Sequence, residues 1–404
     1  RKNMKNNKEI GYKAFEKGLI CKGKQYKENT VYKENGTEIC QEGVMHYCKN
    51  PIDVLNFYPL VDGNDKITEF AEVEPLGKVY NHKFKSATNK LRIGTKLELP
   101  GFIDACINFA LKHTDVLEGK KKLSKGSDKI IIEDFSDINS IKNNEHIEGN
   151  GYNAHIDSNV DNVHIDSNGN NVQIVSSGDN AHIDSNGYST QIASNGNDAI
   201  ITSSGDSTYI ASNGCGRLIA SSGKNTKITS NGHGTQIASN GCSAQIASNG
   251  CEAKIVSNGC SAQITSNGLD SQIASSGKNT KITSKGHGTQ IASSGKNTFI
   301  YSSGINTQIV SSGFASRITS SGCGTHITSS GERSVVVAIG PGSIAKAKIG
   351  SWITLAELEA EESADCDGDI IWNIECVKTE YVDGERIKED TFYKLEDGEF
   401  VEVK

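Results

Sequence analysis

Gln236-Ile237-Ala238-Ser239-Asn240-Gly241-Cys242-Ser243-Ala244-Gln245-Ile246-Ala247-Ser248-Asn249-Gly250 decides the fold. Isoleucine recurs here after nine residues, and it keeps that interval from Ile138 to Ile327, with Val336 continuing the register. A serine stands two residues after each isoleucine from Ser158 to Ser329, and a glycine four after, from Gly169 to Gly340. Two residues before it stands Ala, Val, Thr or Ser almost without exception; Glu145 and Arg217 break the rule. Strand side chains alternate between faces, so the small residue, the isoleucine and the serine point one way and the residues between them the other. Asn/Ser-Gly then reads as a turn in which glycine supplies a positive φ. One strand and one turn cannot bury their own apolar face, but copies stacked about 4.8 Å apart can.

The fold class is therefore mainly β, a regular β-solenoid of nine-residue repeats. Its expected core includes Ile156, Ile165, Ile174, Ile183, Ile192, Ile237 and Ile291, each worth about 1.5–3 kcal/mol of burial. Ser194, Ser239 and Ser293 lie on the same inward face and are expected to bond to turn backbone. A coil of two strands takes 18 residues and a coil of three takes 27; Lys227, Lys254 and Lys281 are 27 apart and would stack as like charges in the larger coil. Two-stranded coils are favoured, about eleven of them in a rod of roughly 50 Å, with the 27-residue coil as the alternative.

Outward from the repeat, residues 1–10 read as a basic flexible tail, 11–115 as a small α+β domain and 116–130 as a linker containing Lys120-Lys121-Lys122. The solenoid takes 131–345 and a β-hairpin cap 346–404, with Asp383-Gly384 and Asp397-Gly398 as two hairpin turns. A cap covers strand edges that would otherwise invite further pairing. In the first domain, strands are expected at Gly11–Phe15, Gly18–Cys21, Tyr26–Tyr32 and Ile67–Glu74, with helices at Pro51–Tyr58 and Gly101–His113.

Both ends carry a resemblance. Gly11-Tyr12-Lys13-Ala14-Phe15, with Cys40-Gln41-Glu42-Gly43-Val44-Met45-His46-Tyr47-Cys48-Lys49-Asn50-Pro51-Ile52-Asp53-Val54 and Tyr58, resembles an uncharacterised domain of bacterial and bacteriophage proteins. Gly350-Ser351-Trp352-Ile353-Thr354-Leu355-Ala356-Glu357, Val377-Lys378-Thr379-Glu380 and Val382-Asp383-Gly384-Glu385-Arg386-Ile387-Lys388 are similar to the segment on the carboxyl side of such repeats in that family. The resemblance implies a phage or prophage accessory protein, in the cytoplasm of a bacterial host or in a virion, and carries no activity to any residue.

Composition narrows the function. The formal charge is −7, which argues against a nucleic-acid partner. No apolar run reaches the length of a membrane span, so no membrane partner is expected, and the start Arg1–Lys8 lacks the apolar core of a signal peptide. The 11 cysteines, irregularly spaced, read as reduced thiols; Cys242 and Cys260 share an edge of an 18-residue coil, with Cys251 opposite. Acids dominate from Asn143 to Gly216 and bases from Arg217 to Arg333, a polarity suited to a basic partner, to nucleic-acid mimicry by the acidic half, or simply to solubility. Outward Gln173, Gln191, Gln236, Gln245, Gln263, Gln272, Gln290 and Gln308 suggest side-chain ladders.

Two constellations suggest chemistry. His-Ile-acid occurs at His146/Glu148, His155/Asp157, His164/Asp166 and His182/Asp184. In an 18-residue coil His146, His164 and His182 form one outward column, with Glu148, Asp166 and Asp184 beside it, a candidate divalent-metal site. The repeat lacks the Gly-Gly-x-Gly-x-Asp pattern of calcium rolls. Gly43–Cys48 with Tyr58 weakly resembles a stretch of ADP-ribosyltransferases, with Glu72 and Glu74 as the acidic pair and Lys22 where an arginine is wanted. No nucleophile–base pair accompanies it. The expectation is a non-catalytic scaffold or protein-binding rod without an obligatory cofactor, able to self-associate through its ends. A metal- or small-ligand-binding solenoid and an amino-terminal transferase are the alternatives.

Overall fold

The computed structural model describes residues 9–36, 43–82, 84–118, 129–132, 134, 136–140, 142–362 and 370–403. The lysine run at 120–122, most of the proposed basic tail and Cys40–Glu42 lie outside the described residues. The chain is mainly β, with 46% strand and 5% helix, and separates into two compact units, Arg1–Phe109 and Ala110–Lys404.

In the first unit an antiparallel sheet runs in the order Gly11–Phe15, Glu69–Pro75, Lys90–Leu97, Val31–Lys33. A second sheet joins Met45–Tyr47, Ser86–Thr88 and Val79–Asn81. The helix expected at Pro51 is a short 3₁₀ turn, Pro51–Asn56, with Asn50 Oδ1 accepting from the Ile52 N–H. The α-helix Leu99–Glu118 begins beside Pro100 and buries Phe102, Ile103, Cys106 and Ile107, the stripe its spacing calls for. Phe102 stacks on Phe70 with ring centroids 3.8 Å apart.

The second unit is the solenoid, about 12 turns over residues 137–355. Its strands alternate between a sheet of 15 and a sheet of 14, and every parallel pair within the repeat aligns residue i with i+18, as Ile237 with Ile255 and Ser239 with Ser257. The coil therefore has two strands. The isoleucines form one continuous core together with Val336, Ile353 and Leu355.

The turns work differently from the sequence expectation. The positive φ falls two residues after the invariant glycine, at Asn171, Asp198, Gly234, Ser243 and their equivalents. The invariant glycine serves close approach instead. A Cβ built at Gly241 would stand 1.9 Å from the Gly223 carbonyl oxygen one coil away, and the same clash recurs from Gly169 to Gly340. Corner asparagines form a ladder, Asn231 donating to Asn213 at 2.9 Å and Asn249 to Asn231 at 2.8 Å. The acids Asp161, Asp179 and Asp206 accept backbone N–H bonds from the next coil at 2.7–2.9 Å. Part of the acidic bias thus belongs to the turns.

The serine column also departs from expectation. Contact with turn backbone is made by the small position: Thr298 Oγ1 donates to Gly295 O at 2.7 Å. Ser293 Oγ then bonds Thr298 Oγ1 at 3.3 Å, and Ser302 bonds Thr307 at 3.1 Å. Ser239, whose small position is Ala244, is buried without a partner among the described residues, and so are some serines with threonine at that position, such as Ser203 with Thr208 and Ser275 with Thr280. Ser293→Ala should therefore cost about 1 kcal/mol, whereas Ser239→Ala should be neutral or stabilising. Paired denaturant titrations test the contrast; equal losses would mean that the two hydroxyls are equally satisfied.

At the carboxyl end the clock slips by one residue, Val335 pairing with Trp352. Trp352–Glu362 then turns antiparallel against Ile370–Tyr381, and Tyr393–Glu396 against Glu399–Glu402 extends the other sheet. Asp397-Gly398 is the expected hairpin turn, both residues at positive φ. Asp383-Gly384 is not. Asp383 Oδ1 accepts from the N–H groups of Glu385, Arg386 and Ile387 and folds the chain into an Asx-type loop.

Candidate functional site

Three places bring chemistry-bearing side chains together. The first is the histidine column. Parallel pairing aligns His146 with His164 and His164 with His182, and likewise Glu148, Asp166 and Asp184. The rings of His146 and His164 meet edge to face, those of His164 and His182 face to face, each pair at 4.7 Å. Asp166 bridges the first two, with Oδ2 2.8 Å from His146 Nε2 and Oδ1 3.0 Å from His164 Nε2. Asp184 lies 3.0 Å from His182 Nε2 and accepts from Thr202 Oγ1. Burial opposes the Asp166 charge, but the bonds to His164 and His146 outweigh it and hold the carboxyl below the usual aspartate range. Ligand atoms of His146, His164 and Asp166 lie within 4.8 Å of one another, as do those of His164, His182 and Asp184. Glu148 is not in either group, and His155/Asp157 belongs to the opposite sheet, where His155 faces Gln173.

The second place is the outer face of the 14-stranded sheet near its carboxyl end. Strand register lines up Phe299, Arg317, Val335, Trp352 and Tyr381 on successive strands. The Arg317 guanidinium lies 4.9 Å from the Phe299 ring centroid, and Trp352 packs on Tyr381 at 5.0 Å. Phe299, Val335, Trp352 and Tyr381 are nevertheless exposed, as is Tyr301 in the neighbouring column. On the other sheet the outward Ala220, Ala238, Val256, Ala274 and Ala292 are buried, so the aromatic face is the more open of the two. Among the described residues every cysteine is a free thiol; a hydrogen bond with Cys260 holds the Cys242 thiol below its ordinary range.

The third is a cavity of about 710 Å³ in the first unit, which the residue pattern alone did not single out. Lys13, Lys22, Lys24 and Lys85 line it with Tyr26, Phe57, Tyr58, Cys21 and His46. Lys13 is 7% exposed and donates to the His46 carbonyl at 3.0 Å. Burial pushes its ammonium below the ordinary lysine range despite the neighbouring Cys21 thiol. Burial, with Lys85, Lys13 and Lys22 nearby, lowers His46 to about 4, so its ring is neutral at physiological pH, and its buried Nε2 has no hydrogen-bond partner among the described residues. The Tyr58 hydroxyl donates to Cys21 Sγ at 3.2 Å. A signal existed: Gly11, Lys13 and Phe15 share one face of their strand, which places a lysine among core positions. The proposed acidic pair does not join this cavity. Glu72 faces Tyr12 across the sheet and Glu74 pairs with Arg92 at 3.6 Å.

Residues 9–105 match the family model of a domain of unknown function (DUF7666). The match spans Gly11–Tyr58, the stretch that carries the amino-terminal resemblance. No curated protein and no solved structure matches the chain. No helix among the described residues is long and apolar enough to cross a membrane.

Proposed function

We propose that the chain is a non-catalytic binding protein, its solenoid a scaffold that offers one sheet face to a protein partner. The observation that carries this reading is the exposed ladder Phe299, Arg317, Val335, Trp352 and Tyr381. Aromatic residues and arginine dominate binding hot spots, and contiguous exposed apolar surface marks interaction sites. A parallel stack with a glycine at each corner holds these side chains in fixed register, so little ordering is lost on binding. The setting in this reading is a bacterial or bacteriophage accessory protein in the cytoplasm or a virion, acting on a host or defence factor or a virion component. That part rests on the resemblance of the two ends.

Affinity capture from bacterial lysate should yield one stoichiometric partner with the full chain. Capture should fall at least tenfold with Phe299→Ser and Trp352→Ser combined, and stay unchanged with Gln245→Ser on the same sheet. Equal capture by all three would remove the aromatic face from the interaction.

A second reading is favoured by the histidine geometry. We propose that the column binds one borderline divalent ion, zinc or nickel, through His164 with either His146 and Asp166 or His182 and Asp184. Both sets need His164, which limits the chain to one ion. Equilibrium dialysis with Zn²⁺ should give one ion per chain, lost in His164→Ala and retained in His155→Ala. Retention in His164→Ala would overturn this reading.

A further inference from the structure

We propose that the cavity of the first unit binds a small organic oxyanion carrying an aromatic body. Charge argues for the anion. Among the described residues four lysines line the cavity, and Glu34, the one carboxylate there, is already paired with Lys24. The lining histidine is neutral and adds no charge of its own. An anion entering the cavity relieves the mutual repulsion of the remaining cations and offers Lys13 a counter-charge in place of the hydration that burial removes. The walls argue for the aromatic body. Lys24 lies 5.4 Å from the Tyr26 ring centroid and Lys85 lies 5.6 Å from that of Phe57, so ammonium groups and ring faces alternate. A volume of about 710 Å³ suits such a molecule. Glu72 and Glu74 are not among the lining residues, and the Glu34 carboxylate is held by Lys24.

The test uses the full chain and the fluorescent aromatic sulfonate 8-anilinonaphthalene-1-sulfonate. Saturable binding at one site per chain is expected. Lys13→Met should weaken it at least tenfold, and Lys85→Met, nearer the surface and safer for folding, at least threefold. Lys224→Met on the solenoid should leave it unchanged. Competition then separates the ligand classes. Displacement by adenosine monophosphate assigns a phosphate ester and displacement by benzoate a carboxylate, while adenosine, which lacks the anion, should not displace. Binding unchanged in both Lys13→Met and Lys85→Met, or displacement by adenosine as effective as by its monophosphate, overturns the proposal.

Discussion

Gly241→Ala is expected to destabilise the middle of the solenoid by about 3 kcal/mol or more, while Gly234→Asn changes stability by less than about 0.5 kcal/mol. Both positions are turn glycines, but only Gly241 belongs to the invariant column four residues after isoleucine. At Gly241 the added Cβ would stand 1.9 Å from the Gly223 oxygen and 2.8 Å from its carbonyl carbon. Those are backbone atoms of a hydrogen-bonded coil and cannot swing aside as a side chain tip could. The two coils must part, which weakens the corner bonds and the isoleucine contacts beside them. At Gly234 an added Cβ meets nothing within 4 Å, and the φ of 65° is close to those that Asn225 and Asn279 adopt in equivalent turns. Asparagine tolerates that region well. In a stacked array stability is local plus nearest-neighbour, so the damage should concentrate near residue 241. Hydrogen exchange across the coils, with a denaturant midpoint for the whole chain, reads both effects. An alanine at 241 as stable as the glycine would mean that the turns are looser than their register implies.

The solenoid is legible in the sequence because its signal is redundant. Period two inside a period of nine, repeated from Ile138 to Ile327, names the inward residues, and the lysine spacing selects the 18-residue coil. What the pattern does not convey is which physical demand each invariant residue meets. Glycine after Ser-Asn reads as a positive-φ residue; only the proximity of successive corners reveals a demand for empty space. Serine reads as a donor to backbone, yet the threonine five residues on takes that acceptor, as Thr298 takes Gly295 O. In the first unit single strands carry weaker signals. Lys90–Leu97 hides its inward Leu91 and Ile93 among charged residues, so no clear strand pattern marks it. The histidine column follows from coil length alone, since pairing i with i+18 places three imidazoles in a row. The lysine cavity does not, because it joins Lys13, Lys22 and Lys85 from segments whose pairing is set by tertiary structure.

Arg217→Thr is expected to raise stability by about 1–3 kcal/mol. Arg217 occupies the small inward position, where its neighbours Thr208 and Thr226 sit, and it is fully buried. Its guanidinium donates to Ser194 O at 2.6 Å and also to Gly196 O and Ser212 Oγ, while Nε has no partner among the described residues. All three acceptors are neutral, so the bonds satisfy donors without neutralising the charge. Burial pushes the arginine down to about 10, which still leaves it a cation at neutral pH. A buried charge without a direct counter-ion is among the more costly features of an interior. Threonine fits the same slot elsewhere with no such penalty: Thr226 Oγ1 donates to Gly223 O at 2.9 Å. The substitution therefore restores the bond pattern of adjacent coils and removes the charge in one step. Thermal and denaturant midpoints of the variant should both rise. A variant less stable than the natural chain would show that the guanidinium, by tying Ser194, Gly196 and Ser212 together, acts as a clasp across two coils whose bonds outweigh the desolvation of its charge.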